Sequence, residues 1–190
     1  MLNFPIKKQP TNISNQKNIK KANLGMLLED MLNEANQYYL DKGIAVIHKK
    51  PTPIQVVRVN YPERSKAKIT EAYYKTPSTT DYNGIYKGKY IDFEAKETND
   101  DRFYFSNIHD HQVKHLLSID SLGGIGFVII MFKAFNEVYI IDIKEFNKYY
   151  SDSKVKALKI ELIKEIGVKV NQTYTKPIDY LTAVDELYFK

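Results

Sequence analysis

Two carboxylates and a lysine in the middle of the chain have the residue types that phosphoryl-transfer chemistry needs. Glu94 and Lys96 lie close together in the segment YIDFEAK, and Asp81 precedes them. Carboxylate oxygens completed by water are the ligands that Mg²⁺ prefers. A lysine beside the cation could orient a water nucleophile or stabilise charge on phosphorus. These residues predict a site with Asp81 and Glu94 as metal ligands and Lys96 as the cationic group.

The spacing of these residues also allows a simpler interpretation. Side chains alternate across a strand, so Asp92, Glu94 and Lys96 face away from the apolar residues between them. On an edge hairpin that polar side would be solvated, and Glu94 with Lys96 would form a surface pair that contributes little. Spacing alone favours this interpretation. Inside a sheet face, however, the carboxylates would repel each other unless a cation or water compensated them.

Glu29, Gln112 and two histidines are further candidates. Glu29 lies on a predicted helix that must pack on the sheet, so it could reach the same pocket, although a solvated helix face is the simpler interpretation. Gln112 could offer a neutral oxygen ligand, with a surface amide as the alternative. His111 and His115 have the i, i+4 spacing of a helical zinc pair, but the chain has no cysteine and no partner motif. We interpret them as surface or phosphate-facing histidines.

The elements that would position these residues follow from hydrophobic periodicity and turn residues. Helices are predicted at Gly25 to about Asp41, about His109 to Leu122, Lys144–Tyr150 and Val155–Glu165, before a final segment Ile178–Phe189. Strands are predicted at Ile44–Lys49, in a hairpin or meander within DYNGIYKGKYIDFEAK that turns at Asn83-Gly84 and Lys87-Gly88, and in GFVIIMFK and EVYIIDI. The nearly all-apolar GFVIIMFK is expected to be buried on both faces. This order predicts an α/β fold with a mixed central sheet flanked by helices.

Two segments are rich in cations. Residues 1–24 hold five lysines and no acidic residue, which predicts a basic, mobile arm. The segment IQVVRVNYPERSKAKITEAYYKTPSTT reads as an extended, poorly buried excursion. Its cations alternate with tyrosines, a pattern that suits contact with phosphates and with bases or sugars, whereas the alternative is a surface hairpin with solvated charges. The cations are Arg58, Arg64, Lys66, Lys68 and Lys75, and the tyrosines are Tyr61, Tyr73 and Tyr74.

Composition limits the possible functions. A chain of 190 residues with 43% hydrophobic content can bury one domain core, and a net charge of +5 makes an acidic polymer a plausible partner. The absence of cysteine excludes a thiolate nucleophile, a disulfide and cysteine-ligated zinc. No apolar run approaches the roughly 20 residues that span a bilayer, and the N-terminus lacks a signal-peptide pattern. We therefore expect a soluble, cytoplasmic protein with no membrane partner.

The motif residues resemble those of a known nuclease superfamily. Asp81 followed by Glu94-Ala95-Lys96 is similar to the D…ExK signature of the restriction-endonuclease-like nucleases. More specifically, the segment from AVIHKK to FEAKET, together with IHDHQVKH and NEANQYYL, resembles the RecU Holliday junction resolvases, over about Gly25 to Leu181. This resemblance implies a restriction-endonuclease-like core in a single nuclease domain at 25–190, with a projecting basic stalk at about 51–77 and the basic arm at 1–24.

The resemblance also implies an activity. The protein would be a homodimeric, Mg²⁺-dependent endonuclease that resolves four-way DNA junctions by symmetric paired nicks during recombination and repair, with Mn²⁺ as a substitute cation. Recombinase and branch-migration proteins are candidate partners. One or two Mg²⁺ ions would be bound by Thr79, Asp81, Glu94 and Gln112, with Lys96 stabilising the transition state and Glu29 as a further catalytic candidate. DNA contacts are expected from Lys49, Lys50, Arg58, Arg64, Lys66, Lys68 and Lys75.

One position departs from the family pattern, and two other functions remain open. Family members commonly have Asn-Arg-Gly where this chain has Asn23-Leu24-Gly25, so contacts made by that arginine, and any modulation of partner proteins, are in question. The first alternative function is a DNA-binding or architectural module that has lost catalysis. The second is a restriction-type nuclease, which would cut linear duplex as readily as a junction.

Overall fold

The computed structural model describes residues 28–75, 79–172 and 177–189, which contain both helices and strands. The helices are α1 Leu28–Asp41, α2 Asp110–Ser121, α3 Ile143–Tyr150, α4 Ile160–Ile166 and α5 Tyr180–Tyr188. The strands are β1 Ala45–Lys49, β2 Ile54–Asn60, β3 Lys68–Tyr74, β4 Tyr82–Tyr86, β5 Lys89–Thr98, β6 Arg102–Tyr104, β7 Ile125–Phe132, β8 Glu137–Asp142, β9 Ala157–Lys159 and β10 Val168–Lys169. No helix within the described ranges is both long and apolar enough to cross a membrane.

A mixed six-stranded sheet in the order β1-β4-β5-β7-β8-β10 forms the centre of the molecule. Strands β5 and β7 are parallel, and the other neighbours in this sheet are antiparallel. A parallel pair needs a crossover connection, and α2 lies in the chain between β5 and β7. The predicted α/β class with a mixed central sheet flanked by helices is confirmed.

Apolar side chains cover both faces of the sheet. One core cluster joins Phe93 and Phe127 to α1 and α5, and the rings of Phe93 and Phe127 stack with centroids 4.7 Å apart. The other cluster joins Val128 and Ile130 to α2, α3 and α4. Every residue of β7 is buried, as its apolar run predicts. This two-sided packing fixes β5 in the interior, so any charge on that strand must find a partner there.

Strands β2 and β3 form a separate two-stranded antiparallel sheet, which we call the basic hairpin (residues 54–74). Most of its side chains are exposed, and Tyr61, Tyr73 and Tyr74 are among them. A short 3₁₀ turn at Arg64–Lys66 lies between the strands. The expected stalk begins before this hairpin and extends into residues 76–78, which lie outside the described part of the chain.

Several predicted elements differ from the structure. Asn83-Gly84 is not a turn but lies inside β4, where a Cβ on Gly84 would come 2.6 Å from the Cα of Ile47 on the neighbouring strand. The glycine therefore serves close packing of β1 on β4. The turn at Lys87-Gly88 is confirmed, and both residues have positive φ. The predicted helix Val155–Glu165 is partly wrong, because residues 157–159 form β9, which pairs with β6 before α4 begins.

Other predicted boundaries were close to the observed ones. The helix around His109 to Leu122 corresponds to α2, and the first predicted helix corresponds to α1, which ends at Asp41. Its predicted start at Gly25 lies outside the described residues, as does the predicted basic arm at 1–24 with the Asn23-Leu24-Gly25 departure. The short strands β6, β9 and β10 carry no clear alternation and were not predicted.

Candidate active site

A pocket of about 720 Å³ lies between α1, the end of β1, the segment before β4, the second half of β5 and the start of α2. Each of these elements contributes a side chain that the sequence singles out. The predicted metal-binding and catalytic residues all line it: Glu29, Thr79, Asp81, Glu94, Lys96 and Gln112. The fold therefore brings together groups that are widely separated along the chain.

Glu94 is the buried carboxylate of the pocket. It is fully inaccessible to solvent. Its Oε1 atom accepts hydrogen bonds from the Gln112 amide and from the Lys96 ammonium, the latter at 2.7 Å. Its Oε2 atom is buried and has no hydrogen-bond partner among the described residues. Burial, with the nearby Asp81 charge, raises the pKa of Glu94 to about 7, although Lys96 acts in the opposite direction.

Asp81 faces Glu94 because of strand register. Tyr82 pairs with Phe93 across β4 and β5, so the preceding residue, Asp81, lies beside Glu94. The Asp81 Oδ2 atom accepts a hydrogen bond from the backbone N–H of Ala95 at 3.2 Å. The edge-hairpin interpretation of this region is wrong, because β5 lies between β4 and β7 and Glu94 is fully buried. Lys96, with 21% of its side chain exposed, also lines the pocket.

The start of α2 forms one wall of the pocket. The side-chain oxygen of Gln112 accepts from the backbone N–H of His109 at 2.9 Å, while its nitrogen donates to Glu94. The amide is therefore inside the pocket, but its oxygen caps the helix rather than facing the carboxylates. His109 and His111 also line the pocket, and their rings stack with centroids 5.5 Å apart. Sequence reasoning missed His109 and assigned His111 only a general role.

Glu29 and Lys49 form an ion pair at the pocket mouth. About half of the Glu29 side chain is exposed, 52%. Glu29 thus reaches the pocket from α1, as its helix position suggested, while keeping contact with solvent. Because the pair is well exposed, it adds little to stability, and either partner can exchange it for another charge.

The residues present fit a divalent cation. Two carboxylates converge, and one of them is buried with an oxygen that has no partner among the described residues. A bound cation makes such an arrangement favourable. No group of three or more His, Asp or Glu side chains in the described ranges is arranged to hold a metal. A cation here would therefore be completed by neutral oxygens and water, which is typical of Mg²⁺ sites.

The family model described as recombination protein U (RecU) matches residues 23–186. This chain belongs to the RecU family. A relative named "Holliday junction resolvase RecU" from Oceanobacillus iheyensis is 49% identical over 181 residues, which are 93% of this chain and 92% of that protein. A protein with the same name from Staphylococcus aureus (strain N315) is 50% identical, over 90% of this chain and 84% of its own.

A solved structure also resembles part of this RecU-family chain. It is that of Archaeoglobus fulgidus Hjc, described as a Holliday junction resolvase from an archaeal hyperthermophile. The likeness has a TM-score of 0.47 at 9% sequence identity and covers 74% of this chain and 94% of the archaeal chain.

The cations expected to contact DNA fall into two groups in this RecU-family chain. On or beside the basic hairpin, Arg58, Lys66, Lys68 and Lys75 are exposed. Arg58 lies 3.9 Å from Glu71, and Lys66 lies 3.0 Å from Glu63, both as solvated pairs. Arg64 lies in the 3₁₀ turn of the same hairpin. Lys49 and Lys50 instead line the pocket.

Lys50 and His115 both contact Asp92. The DNA contact expected of Lys50 stays a prediction, and its ammonium lies 2.8 Å from Oδ2 of the fully buried Asp92. The interpretation of His115 as a surface or phosphate-facing residue is wrong, because its Nε2 lies 3.1 Å from the same Asp92 oxygen. Both the Lys50 ammonium and the His115 ring therefore point to the buried Asp92 carboxylate. Periodicity places Asp92 on this face but gives no information about its partners.

Proposed function

We propose that this protein is a divalent-metal-dependent endonuclease that resolves four-way DNA junctions by paired symmetric nicks in recombination and repair. The observation that carries the catalytic part is the buried Glu94 beside Asp81 and Lys96 in an open pocket, with one oxygen that no described residue bonds. The names of relatives that are about half identical over nine-tenths of this chain support the junction substrate.

The proposed chemistry assigns a task to each pocket residue. Asp81 and Glu94 would hold the cation, Mg²⁺ or Mn²⁺, and Thr79 and, after rotation of its amide, Gln112 would be further ligands. A cation bound there would lower the pKa of a water molecule and offset charge on the leaving oxygen. Lys96 places a positive charge beside the scissile phosphate, where it stabilises charge that builds up in the transition state. Glu29, at the mouth, is a further acidic group within the same pocket.

DNA binding is proposed to be separate from this chemistry. Cations of the basic hairpin, as the main part of a stalk at about 51–77, would contact phosphates near the junction centre, and Lys49 would do so at the pocket mouth. Phosphate contacts position a protein on DNA without reading sequence. Two copies of the nuclease domain at 25–190, related by a twofold axis, would place two pockets on strands of like polarity. Selectivity would then come from the shape of the junction.

The test compares a labelled mobile four-way junction with linear duplex of the same sequence. Each is incubated with wild-type protein in Mg²⁺ and in EDTA, and with Glu94→Ala. Glu145→Ala is the matched control, because Glu145 lies on α3 and pairs with Lys148 away from the pocket. We expect paired, symmetric nicks on the junction alone, retained by Glu145→Ala and lost in EDTA and in Glu94→Ala.

Two other outcomes would replace this proposal. Tight junction binding without cleavage in any divalent cation would indicate an architectural DNA-binding protein. Equal cutting of junction and linear duplex would indicate a restriction-type nuclease. Cleavage by Glu94→Ala at the wild-type rate would remove the metal site from the pocket.

A further inference from the structure

Asp92 lies on the same face of β5 as Glu94 and is equally buried, yet it does not line the pocket. Its Oδ2 atom accepts hydrogen bonds from the Lys50 ammonium at 2.8 Å and from the Tyr90 hydroxyl at 3.0 Å, and lies 3.1 Å from His115 Nε2. Its Oδ1 atom accepts from the Thr80 hydroxyl. We call these five residues the Asp92 cluster. Both carboxylate oxygens of Asp92 therefore have partners, whereas Oε2 of Glu94 has none in the part of the chain that the structure describes.

The cluster ties together segments that are distant in sequence. Lys50 follows β1, Thr80 precedes β4, and His115 lies on α2, whereas Tyr90 shares β5 with Asp92. The Lys50 ammonium also donates a hydrogen bond to the Thr80 hydroxyl, with 2.9 Å between Nζ and Oγ1. One buried carboxylate therefore holds two loops and a helix against the central strand.

These connections lead directly to the proposed metal ligands. The backbone N–H of Lys50 donates to the backbone oxygen of Asp81 at 2.7 Å, so Lys50 holds this segment through both its side chain and its main chain. Thr80 is the residue before Asp81. On α2, His115 lies about one turn beyond Gln112, which donates to Glu94. The cluster thus restrains the backbone beneath Asp81 and the helix that orients Glu94.

Stability alone is a weak reason for such a cluster. Burying an ion pair costs desolvation, and well-packed apolar residues of similar volume often serve as well. Residues that orient metal ligands through hydrogen bonds, without touching the metal, must by contrast be polar and directional. The Asp92 cluster is polar, directional and adjacent to both carboxylates of the pocket.

We propose that Asp92 is a positioning residue, which sets Asp81 and Glu94 for cation binding by holding Lys50, Thr80 and His115. This inference rests on the proposed metal-dependent function. Asp92 itself contacts neither the cation nor the DNA. Its loss should weaken metal binding and slow cleavage while leaving junction binding in metal-free buffer unchanged.

The test measures Mn²⁺ binding to the full chain without DNA, from the free Mn²⁺ signal in electron paramagnetic resonance. In Asp92→Asn the Mn²⁺ affinity should fall about 10- to 100-fold. Asp142→Asn is the matched control: Asp142 accepts bonds from Lys144 N, Glu145 N and the Tyr188 hydroxyl but lies outside the pocket. It should bind Mn²⁺ as the wild type does, whatever its unfolding temperature.

A second pair of variants covers the case in which Asp92→Asn fails to fold. Thr80→Val removes the hydroxyl bonded to Asp92 at nearly constant volume and should weaken Mn²⁺ binding. Thr80→Ser keeps that hydroxyl and should restore the affinity. Recovery in Thr80→Ser distinguishes positioning from a general loss of stability.

The outcomes separate this inference from the proposed function. If wild type binds Mn²⁺ and cuts junctions, but folded Asp92→Asn and Thr80→Val bind Mn²⁺ equally well, only the positioning role is overturned. The same follows if Asp92→Asn and Asp142→Asn lose Mn²⁺ affinity together, because the effect would then be structural. If wild type itself binds no Mn²⁺, the metal-dependent function and this inference are both overturned.

Discussion

Two lysines near the pocket, Lys50 and Lys96, and two cations on the basic hairpin make ion pairs in very different surroundings. Lys50 and Lys96 have 17% and 21% of their side chains exposed and face carboxylates that are fully buried. Arg58 and Lys66 have 75% and 66% exposed and face carboxylates that are themselves solvated. Removing the lysine from such a pair leaves a buried carboxylate without compensation and is strongly destabilising, whereas an exposed pair contributes little. An ion pair can therefore fix side-chain positions near the pocket, whereas an ion pair on the hairpin leaves its cation available to a ligand.

The largest contrast should appear in cleavage. Replacing Lys96 with methionine removes the charge proposed to stabilise the transition state, so the junction cleavage rate at saturating protein should fall about 100- to 1000-fold. Junction affinity should change little. Lys66→Met, on the hairpin, should leave the saturated rate unchanged. Single-turnover cleavage measures both, and similar rate losses in the two variants would contradict the division between the regions.

The next contrast is in the pH dependence of stability. The folded-state pKa of Glu94 is about 7, above its ordinary value of 4.5, so the folded protein binds this proton more tightly than the unfolded chain. That contribution to stability is present below pH 4.5 and is lost as pH rises through about 7. Without metal, Glu94→Gln should therefore be more stable than wild type at pH 8, by up to about 3 kcal/mol, and similar at pH 4.5.

Urea unfolding in EDTA at the two pH values measures this difference. Glu71→Gln, on the exposed hairpin, is the control and should show no comparable dependence on pH. Added Mg²⁺ should reduce the advantage of Glu94→Gln, because the cation compensates the buried carboxylate only in wild type. An equal stability difference at both pH values would show that Glu94 ionises without cost.

A smaller effect is expected for the hairpin cations. If Lys68 contacts a phosphate, Lys68→Gln should make the negative slope of log affinity against log salt concentration shallower by about 0.9 for duplex arms. The saturated cleavage rate should not change. Lys159→Gln, an exposed lysine on β9 away from the hairpin, is the control and should keep the wild-type slope. An unchanged slope in Lys68→Gln would remove this residue from the DNA interface.

The smallest effect should be on the hairpin's own stability. Glu63→Gln removes the partner of Lys66 from a pair in which both side chains are more than half exposed. The free energy of unfolding of the Glu63→Gln protein should differ from that of wild type by less than about 0.5 kcal/mol. Urea unfolding at low and high salt tests this. A loss of several kcal/mol would mean that the hairpin pairs resemble the buried pairs of Lys50 and Lys96.

Sequence patterns were most informative where a single periodicity governs the structure. Alternation along β5 correctly separated Phe93 from Glu94, since neighbouring strand residues must point to opposite faces. The apolar run of β7 correctly predicted burial. Patterns failed where a residue's neighbour decides its conformation: Gly84 follows an asparagine as in a turn, but the backbone of β1 packs against it.

The candidate site shows the same division. Residue types and the D…ExK order pointed to Asp81, Glu94 and Lys96, because this chemistry needs oxygen ligands and a cation. No spacing could show that Lys50 and His115 turn inward to Asp92, or that His109 caps the helix with Gln112. Those contacts join residues from different segments, and only chain folding brings them within hydrogen-bond distance.

The sequence by itself determined the family, the strand faces and the chemical groups available to the pocket, because these depend on residue type and local order. Only the tertiary structure decided which charges are buried. Among the described residues, it left one oxygen of Glu94 without a partner, whereas Oδ1 of Asp92 has one partner and Oδ2 has several. The physical reason is that desolvation and hydrogen bonding depend on the surroundings of a side chain, which distant segments supply.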